Sequence, residues 1–437
     1  MFDSWLYDET KPFIHMQALD TFAFLKEQIN TGYFEKLIQT YLLDNQHGAL
    51  VTIVPEPGRT ARLDAALKEK LQVYKESLSR EEIEKLIADT KHLQEYQEEP
   101  SSQEDLEKIP MLTRADISRE IAPIYNEEMK IADIPTVFHE IETNGIGYLD
   151  LMFDLSDVPE KDLPMVGLLQ AVLGIIDTEH YEYGELFNEI NRHTGGIGTS
   201  LELYPDVTKV KEKEFKATFE IKGKALYGQI PFAIRMMKEI LTASKLDDEK
   251  RLKEILSMTK TRLQDRFLSA GHSAAALRAM SYKSPISKFK DTTNGIEYYQ
   301  NIREMEEHFD EKKEEIISGL KALSELLFRK GNVMISYTAS REGLAVLEEE
   351  IGSLKEALYP ERTPESRCIL HCEKKNEGFK TSSKVQFAAK AGNFIDAGEE
   401  YNGALQILKV IMSYEYLWLN IRVKGGAYGC MSNFNRI

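Results

Sequence analysis

The amino-acid sequence predicts an α+β fold, with helices layered on sheets. Two observations point there. Strand-like runs come in neighbouring pairs, "TVFHEIETNGIGYLDLMFDLS" around Asn144-Gly145 and "IGTSLELYP" followed by "EFKATFEIKGKA", while long helical runs gather between them. The chain also contains no strand–GxGxxG–helix unit and no GxxxxGK[ST] loop, so a doubly wound nucleotide-binding sheet has little support.

Taken in order, residues 1–57 carry helical periodicity in "ALDTFAFLKEQINTGYFEKLIQTYLL" and then a strand, "GALVTIVPEPG", closed by Pro55, Pro57 and Gly58. This stretch is short for a domain and reads as the end of a larger one. Residues 58–110 form a linker built on a charged helical hairpin. Ser79 followed by Glu82 is a capping box that starts its second helix, and "EEPSSQEDLEKIP" is polar and bounded by proline. Residues 111–365 are expected to form an α+β domain. Its elements are the two strands around Asn144-Gly145, the apolar helix "KDLPMVGLLQAVLGII", the helix "YGELFNEINRHTGG" stopped by Gly195-Gly196, and the second strand pair. A helical array to about Lys330, the strand "GNVMISYTA" and the helix "EGLAVLEEEIGSLKEAL" follow. Residues 366–437 read as the opening of a further domain, with a strand in "SKVQFAAKA", a helix in "NGALQILKVIMSYEYLWLNIRV", and a strand beginning at Tyr428. A sheet left there would keep an unpaired edge, so the expectation is a cut domain or one completed by a partner.

With 437 residues, two or more domains are expected. A net charge of −17 argues against nucleic acid, which needs a basic surface, and is compatible with basic peptides if the charge lines a cleft. Three cysteines cannot build a disulfide framework, which favours a reducing compartment. No signal peptide or run of about 18 apolar residues is visible, and a cytoplasmic location is expected.

Four stretches invite a chemical reading. "IDTEH", Ile176–His180, would be the inverted zinc motif H-x-x-E-H if its first residue were histidine. Isoleucine cannot ligate a metal, and the Glu-His pair recurs at Glu307-His308, so the segment fails as a local zinc site. Cys368, His371 and Cys372 offer three soft ligands where a structural zinc wants four, and alternation there fits a strand edge equally well. "NRHTGGIGTS" has glycines suited to an anion, but the helix would present its C-terminus to them, the wrong end of the dipole. In "NIRVKGGAYGC", a glycine turn can bring the Arg422 guanidinium and the Tyr428 hydroxyl to one side of a cleft. Both are donors, able to hold a peptide carbonyl and stabilise an oxyanion. A helix-end arginine and a packed tyrosine would serve structure alone.

"LNIRVKGGAYGC" resembles the arginine/tyrosine motif in the C-terminal half of insulinase/pitrilysin-family zinc metallopeptidases, in its presequence-protease and falcilysin branch. "YLLDNQHGALVTIVPEPG", the charged hairpin, "IPMLTRADI" and "NRHTGGIGTSLELY" resemble, in order, the end of that branch's second domain, its linker, and the entry and helix–glycine–strand element of its third domain. The resemblance implies two-layer α/β sandwich repeats of the insulinase/processing-peptidase type. Two halves would close around a peptide, and this segment would be the half without metal. It implies that zinc and its ligands lie outside this chain, in an N-terminal catalytic half that is its partner. Arg422 and Tyr428 would be the pair that contacts substrate across from the zinc, and "IDTEH" a decayed copy of the metal motif. The alternative is a non-catalytic peptide-binding or scaffold subunit of the same fold.

Overall fold

Residues 2–362 and 367–436 are described in the computed structural model. The chain divides into two compact units, Met1–Arg119 and Glu120–Ile437. The boundary expected between residues 365 and 366 lies outside the described residues.

The first unit is helical. Its long hairpin runs Arg59–Ser77 and Arg80–Glu98, and the capping box is formed: Ser79 Oγ accepts from the Glu82 amide at 3.2 Å while the Glu82 carboxylate accepts from the Ser79 amide at 2.8 Å. The strand expected in "GALVTIVPEPG" is absent. Those residues are extended and exposed, and no neighbouring strand supplies the ladder that would define one.

The second unit is built on one six-stranded sheet. Its strands are β1 (Glu127–Ile131), β2 (Ile134–Glu140), β3 (Ile146–Asp154), β4 (Ile197–Pro205), β5 (Phe215–Leu226) and β6 (Val333–Ala339), in the spatial order β1-β2-β6-β3-β5-β4. The α+β class is as the sequence predicts, but one pairing is not. Asn144 and Gly145 do turn the chain with positive φ, yet β2 and β3 do not pair. β6 lies between them, parallel to β2 and antiparallel to β3. The tight hairpin is instead β1–β2, turned at Ala132-Asp133, where both φ values are positive.

Alternation explains which face is buried. Leu149, Leu151 and Phe153 of β3, Phe219 and Ile221 of β5, and Ile335 and Tyr337 of β6 all point to one side and are buried. The Ile230–Thr242 and Arg341–Ala357 helices lie on that side. The Leu163–Val172 helix is apolar all round because it is enclosed by helices Glu249–Ser269, Pro285–Asn294, Ile296–Glu307 and Phe309–Leu327. At Gly167 the approach is close enough that a Cβ would lie 2.5 Å from the Thr293 carbonyl oxygen.

The last stretch corrects two expectations. Neither "SKVQFAAKA" nor the residues after Gly426 form a strand, again with no neighbouring ladder. The expected helix is present as Ala404–Ile411 and continues as a wider π-type coil, Met412–Val423.

Candidate peptide-binding face

The side of the sheet opposite the helices carries a group of polar residues from neighbouring strands. β5 contributes Thr218, Glu220 and Lys222, β4 contributes Ser200, Glu202 and Tyr204, and β3 contributes Asp150 opposite Lys222 on one side and Ser336 on the other. Glu220 has no solvent exposure, an expensive place for a carboxylate, and donors surround it. Tyr204 Oη donates at 2.7 Å and Thr218 Oγ1 at 2.6 Å to one oxygen, and Lys222 Nζ sits 2.9 Å from the other. Lys222 also reaches Glu202 at 3.0 Å. Burial alone would lower the Lys222 pKa, but its bonds to Glu220 and Glu202 outweigh burial and raise it. Burial raises the Tyr204 phenol, and the bond donated to Glu220 raises it further.

Asp150 differs from these. It is half-buried, its carboxyl has no hydrogen-bond partner among the described residues, and burial pushes its pKa above the ordinary carboxylate range against the pull of Lys222. Lys222 lies nearest to these three carboxylates, with Lys216 and Lys224 farther along the same face of β5. Farther along, His139 Nδ1 lies 2.9 Å from the Tyr125 carbonyl oxygen, which can only accept. In the neutral ring Nδ1 therefore holds the proton, and Nε2 accepts from Ser336 Oγ at 3.1 Å.

The predicted pair lies at the end of the π-type coil. The Arg422 guanidinium stacks 3.8 Å above the Trp418 ring. Gly426, at φ +69°, turns the chain, and its amide bonds back to the Arg422 carbonyl at 3.0 Å. Tyr428 follows with its ring 94% exposed, and no hydrogen bond or ring contact joins it to Arg422. Both donors are thus presented from one short turn, without direct contact between them.

Set beside known proteins, residues 53–305 match the profile described as "Peptidase M16C associated", and residues 376–437 match "PreP C-terminal domain". The chain belongs to the peptidase M16C-associated family. It is 36% identical to "Protein HypA" of Clostridium perfringens over 99% of this chain and 44% of that protein. It is 26% identical to "Presequence protease 1, chloroplastic/mitochondrial" of Arabidopsis thaliana over 99% of this chain and 40% of the relative. The chain therefore spans less than half the length of these curated relatives.

The stretches that suggested a metal do not present a zinc ligand set: among the described residues, no three His, Cys, Asp or Glu side chains gather. "IDTEH" is not helical. The Leu163–Val172 helix stops before it at Gly174, whose φ of +85° breaks the helical run, so the i, i+4 face that the motif requires does not exist. Ile176 is fully buried in the core. Glu179 bonds through its amide to the Ala243 carbonyl, and His180 Nδ1 is held by Glu239 at 3.0 Å. Near Cys368 there is no strand. His371 Nδ1 lies 2.7 Å from Glu160, and burial pushes the Cys368 thiol up to about 11. "NRHTGG" is a helix stop, as read: the Tyr183–His193 helix ends there and Gly196 turns at φ +109° into β4.

The polar face was missed from sequence. Its signal lies in "EFKATFEIKGKA", where charged or hydroxyl residues at 216, 218, 220, 222 and 224 alternate with residues of a buried face.

Proposed function

We propose that this chain supplies the non-metal half of a zinc-dependent endopeptidase that degrades short unfolded peptides in a closed chamber of two halves. Zinc and its ligands belong to the N-terminal catalytic half of the same polypeptide, and the hairpin region 58–110 links the halves. The chain's own part is binding and charge stabilisation. The polar sheet face lies along the peptide, and Arg422 and Tyr428 donate hydrogen bonds to the carbonyl under attack and to the oxyanion it becomes. The reading is supported above all by the alignment of 99% of this chain with 40% of a protein named a presequence protease, together with the donor pair on one glycine turn. Three unpaired cysteines suit a reducing compartment such as the cytoplasm.

The test uses the whole enzyme. Tyr428→Phe lowers kcat by about 10²–10³ with little change in KM, because the hydroxyl acts on charge that develops only in the transition state. An unchanged kcat refutes the assignment. Metal analysis of the present chain is expected to find no stoichiometric zinc, and one tightly held zinc per chain would overturn the division of labour.

A further inference from the structure

Arginines in this chain are held in two ways, and the two leave different things free. Arg278 is gripped by carboxylates. Its Nε and Nη2 meet both oxygens of Glu377 and its Nη1 meets Asp291, so its donors are spent. Arg422 is held by a ring instead. Its guanidinium lies 3.8 Å over Trp418, and no ion pair joins it to an Asp or Glu among the described residues. Trp418 and Arg422 stand four residues apart on the coil and are neighbours on one face of it.

The difference matters for a donor that must serve a substrate. An aromatic seat engages the flat face of the guanidinium and leaves the N–H groups, which lie in its plane, pointing outward. A carboxylate seat would take those N–H groups in charge-assisted bonds and cancel the positive charge that an oxyanion needs. The ring also restrains a long stem that would otherwise sample many rotamers, so the ordering cost is met before substrate arrives.

The backbone beneath the pair is fixed separately. The amides of Lys424, Gly426 and Ala427 bond back to the carbonyls of Leu419, Arg422 and Ile421 at 3.0, 3.0 and 3.1 Å. Beyond Tyr428 the chain doubles back along the helix. Ser432 Oγ lies 3.1 Å from Ser413 Oγ, and Gln406 Nε2 donates to the Phe434 carbonyl at 2.8 Å. The turn therefore sets where Arg422 starts, and the ring sets where its guanidinium ends.

We propose that Trp418 is a positioning residue for catalysis: its ring seats the Arg422 guanidinium face-down, so that the charge is kept and the N–H edge stays open to the substrate carbonyl. This rests on the oxyanion role of Arg422 and adds the residue that makes that role effective.

The test is made in the whole enzyme, by steady-state kinetics on a quenched fluorescent peptide. Trp418→Leu is expected to lower kcat about three- to thirtyfold while KM stays within about twofold. Trp418→Phe keeps a ring face and should lose less than about threefold. With Arg422→Ala already in place, Trp418→Leu should lower kcat no further, since no guanidinium is left to position. A second measurement uses the present chain, where Trp418 is exposed and its replacement leaves the core untouched. The Arg422 Nε–H resonance, assigned by its loss in Arg422→Lys, should move downfield in Trp418→Leu as the shielding of the ring is removed. Equal losses in the leucine and phenylalanine variants, or the same loss with Arg422 already removed, would assign Trp418 to packing and overturn the proposal. A resonance that ignores the leucine change overturns it too. If Arg422→Ala lowers kcat and Trp418→Leu does not, the seat is refuted and the oxyanion role stands; if Arg422→Ala leaves kcat unchanged, both fall.

Discussion

Replacing Arg278 with methionine should destabilise the second unit by about 3–5 kcal/mol at pH 7, the usual cost of stranding one partner of a buried ion pair. Arg278 is 6% exposed and Asp291 not at all. Arg278 Nη1 lies 2.6 Å from Asp291 Oδ2, and Nε and Nη2 grip both oxygens of Glu377 at 2.7 and 2.8 Å. Burial already pushes the Asp291 carboxyl up, and Arg278 is the main pull in the other direction. Without the guanidinium only the Ile296 amide, at 2.9 Å, still favours the charged form. The double variant Arg278→Met/Asp291→Asn should recover the part of the loss that comes from leaving Asp291 buried and unpaired, while Glu377 still lacks its guanidinium partner. Urea unfolding followed by far-UV circular dichroism measures both. Arg278→Met within about 1 kcal/mol of the parent, or a double variant no more stable than the single, would refute the reasoning. The pH dependence is a second check. Arg278 and the Tyr282 hydroxyl hold the Glu377 carboxyl at about 2, against 4.5 for the free side chain. A depressed carboxylate contributes stability that is complete above the unfolded value and is lost as pH falls from 4.5 toward 2. Glu377→Gln should therefore lower stability at pH 7 and have little effect near pH 2.

Other substitutions test single elements. Gly174→Ala, at a φ of +85°, should cost about 1 kcal/mol, seen as a lower Tm. Gly167→Ala places a methyl 2.5 Å from the Thr293 carbonyl oxygen and should cost about 1–3 kcal/mol in urea unfolding. Ser79→Ala removes the capping box and should reduce the stability of the hairpin by about 1 kcal/mol, read as earlier loss of helicity in the first unit. At pH 8 the Cys368 thiol, at about 11 instead of 9.0, should alkylate about a hundredfold more slowly than a free thiol.

Most elements of the second unit were legible in the sequence because their signals are local. The alternation of "EFKATFEIKGKA" and the amphipathic runs to Lys330 fold as read. Pairing was not legible. Asn144-Gly145 has the residues of a hairpin turn and adopts their positive φ, but partner choice is decided by β6, far away in the chain. The three expected strands that do not form have a common cause. "GALVTIVPEPG", "SKVQFAAKA" and the residues from Tyr428 carry strand composition, but a strand also needs a neighbour, and none pairs with them. The helix "KDLPMVGLLQAVLGII" was read too long because Gly174 was counted as interior instead of as its stop. Of the candidate site, Arg422 and Tyr428 were visible as residue types around two glycines. The Asp150–Glu220–Lys222 cluster was not, since it is assembled across neighbouring strands and no single stretch displays it.

The placement of β6 has a consequence for how the protein comes into being on the ribosome. His139 and Ser336 touch across a gap of 197 residues. Until Val333–Ala339 emerges, β1–β2 and β3–β5–β4 are two separate ribbons, each with an apolar margin waiting for the same missing insert. A nascent chain halted anywhere in the helical array would hold both margins open at once, so closure is late and slow, and the interval before it is when a chaperone would be most needed.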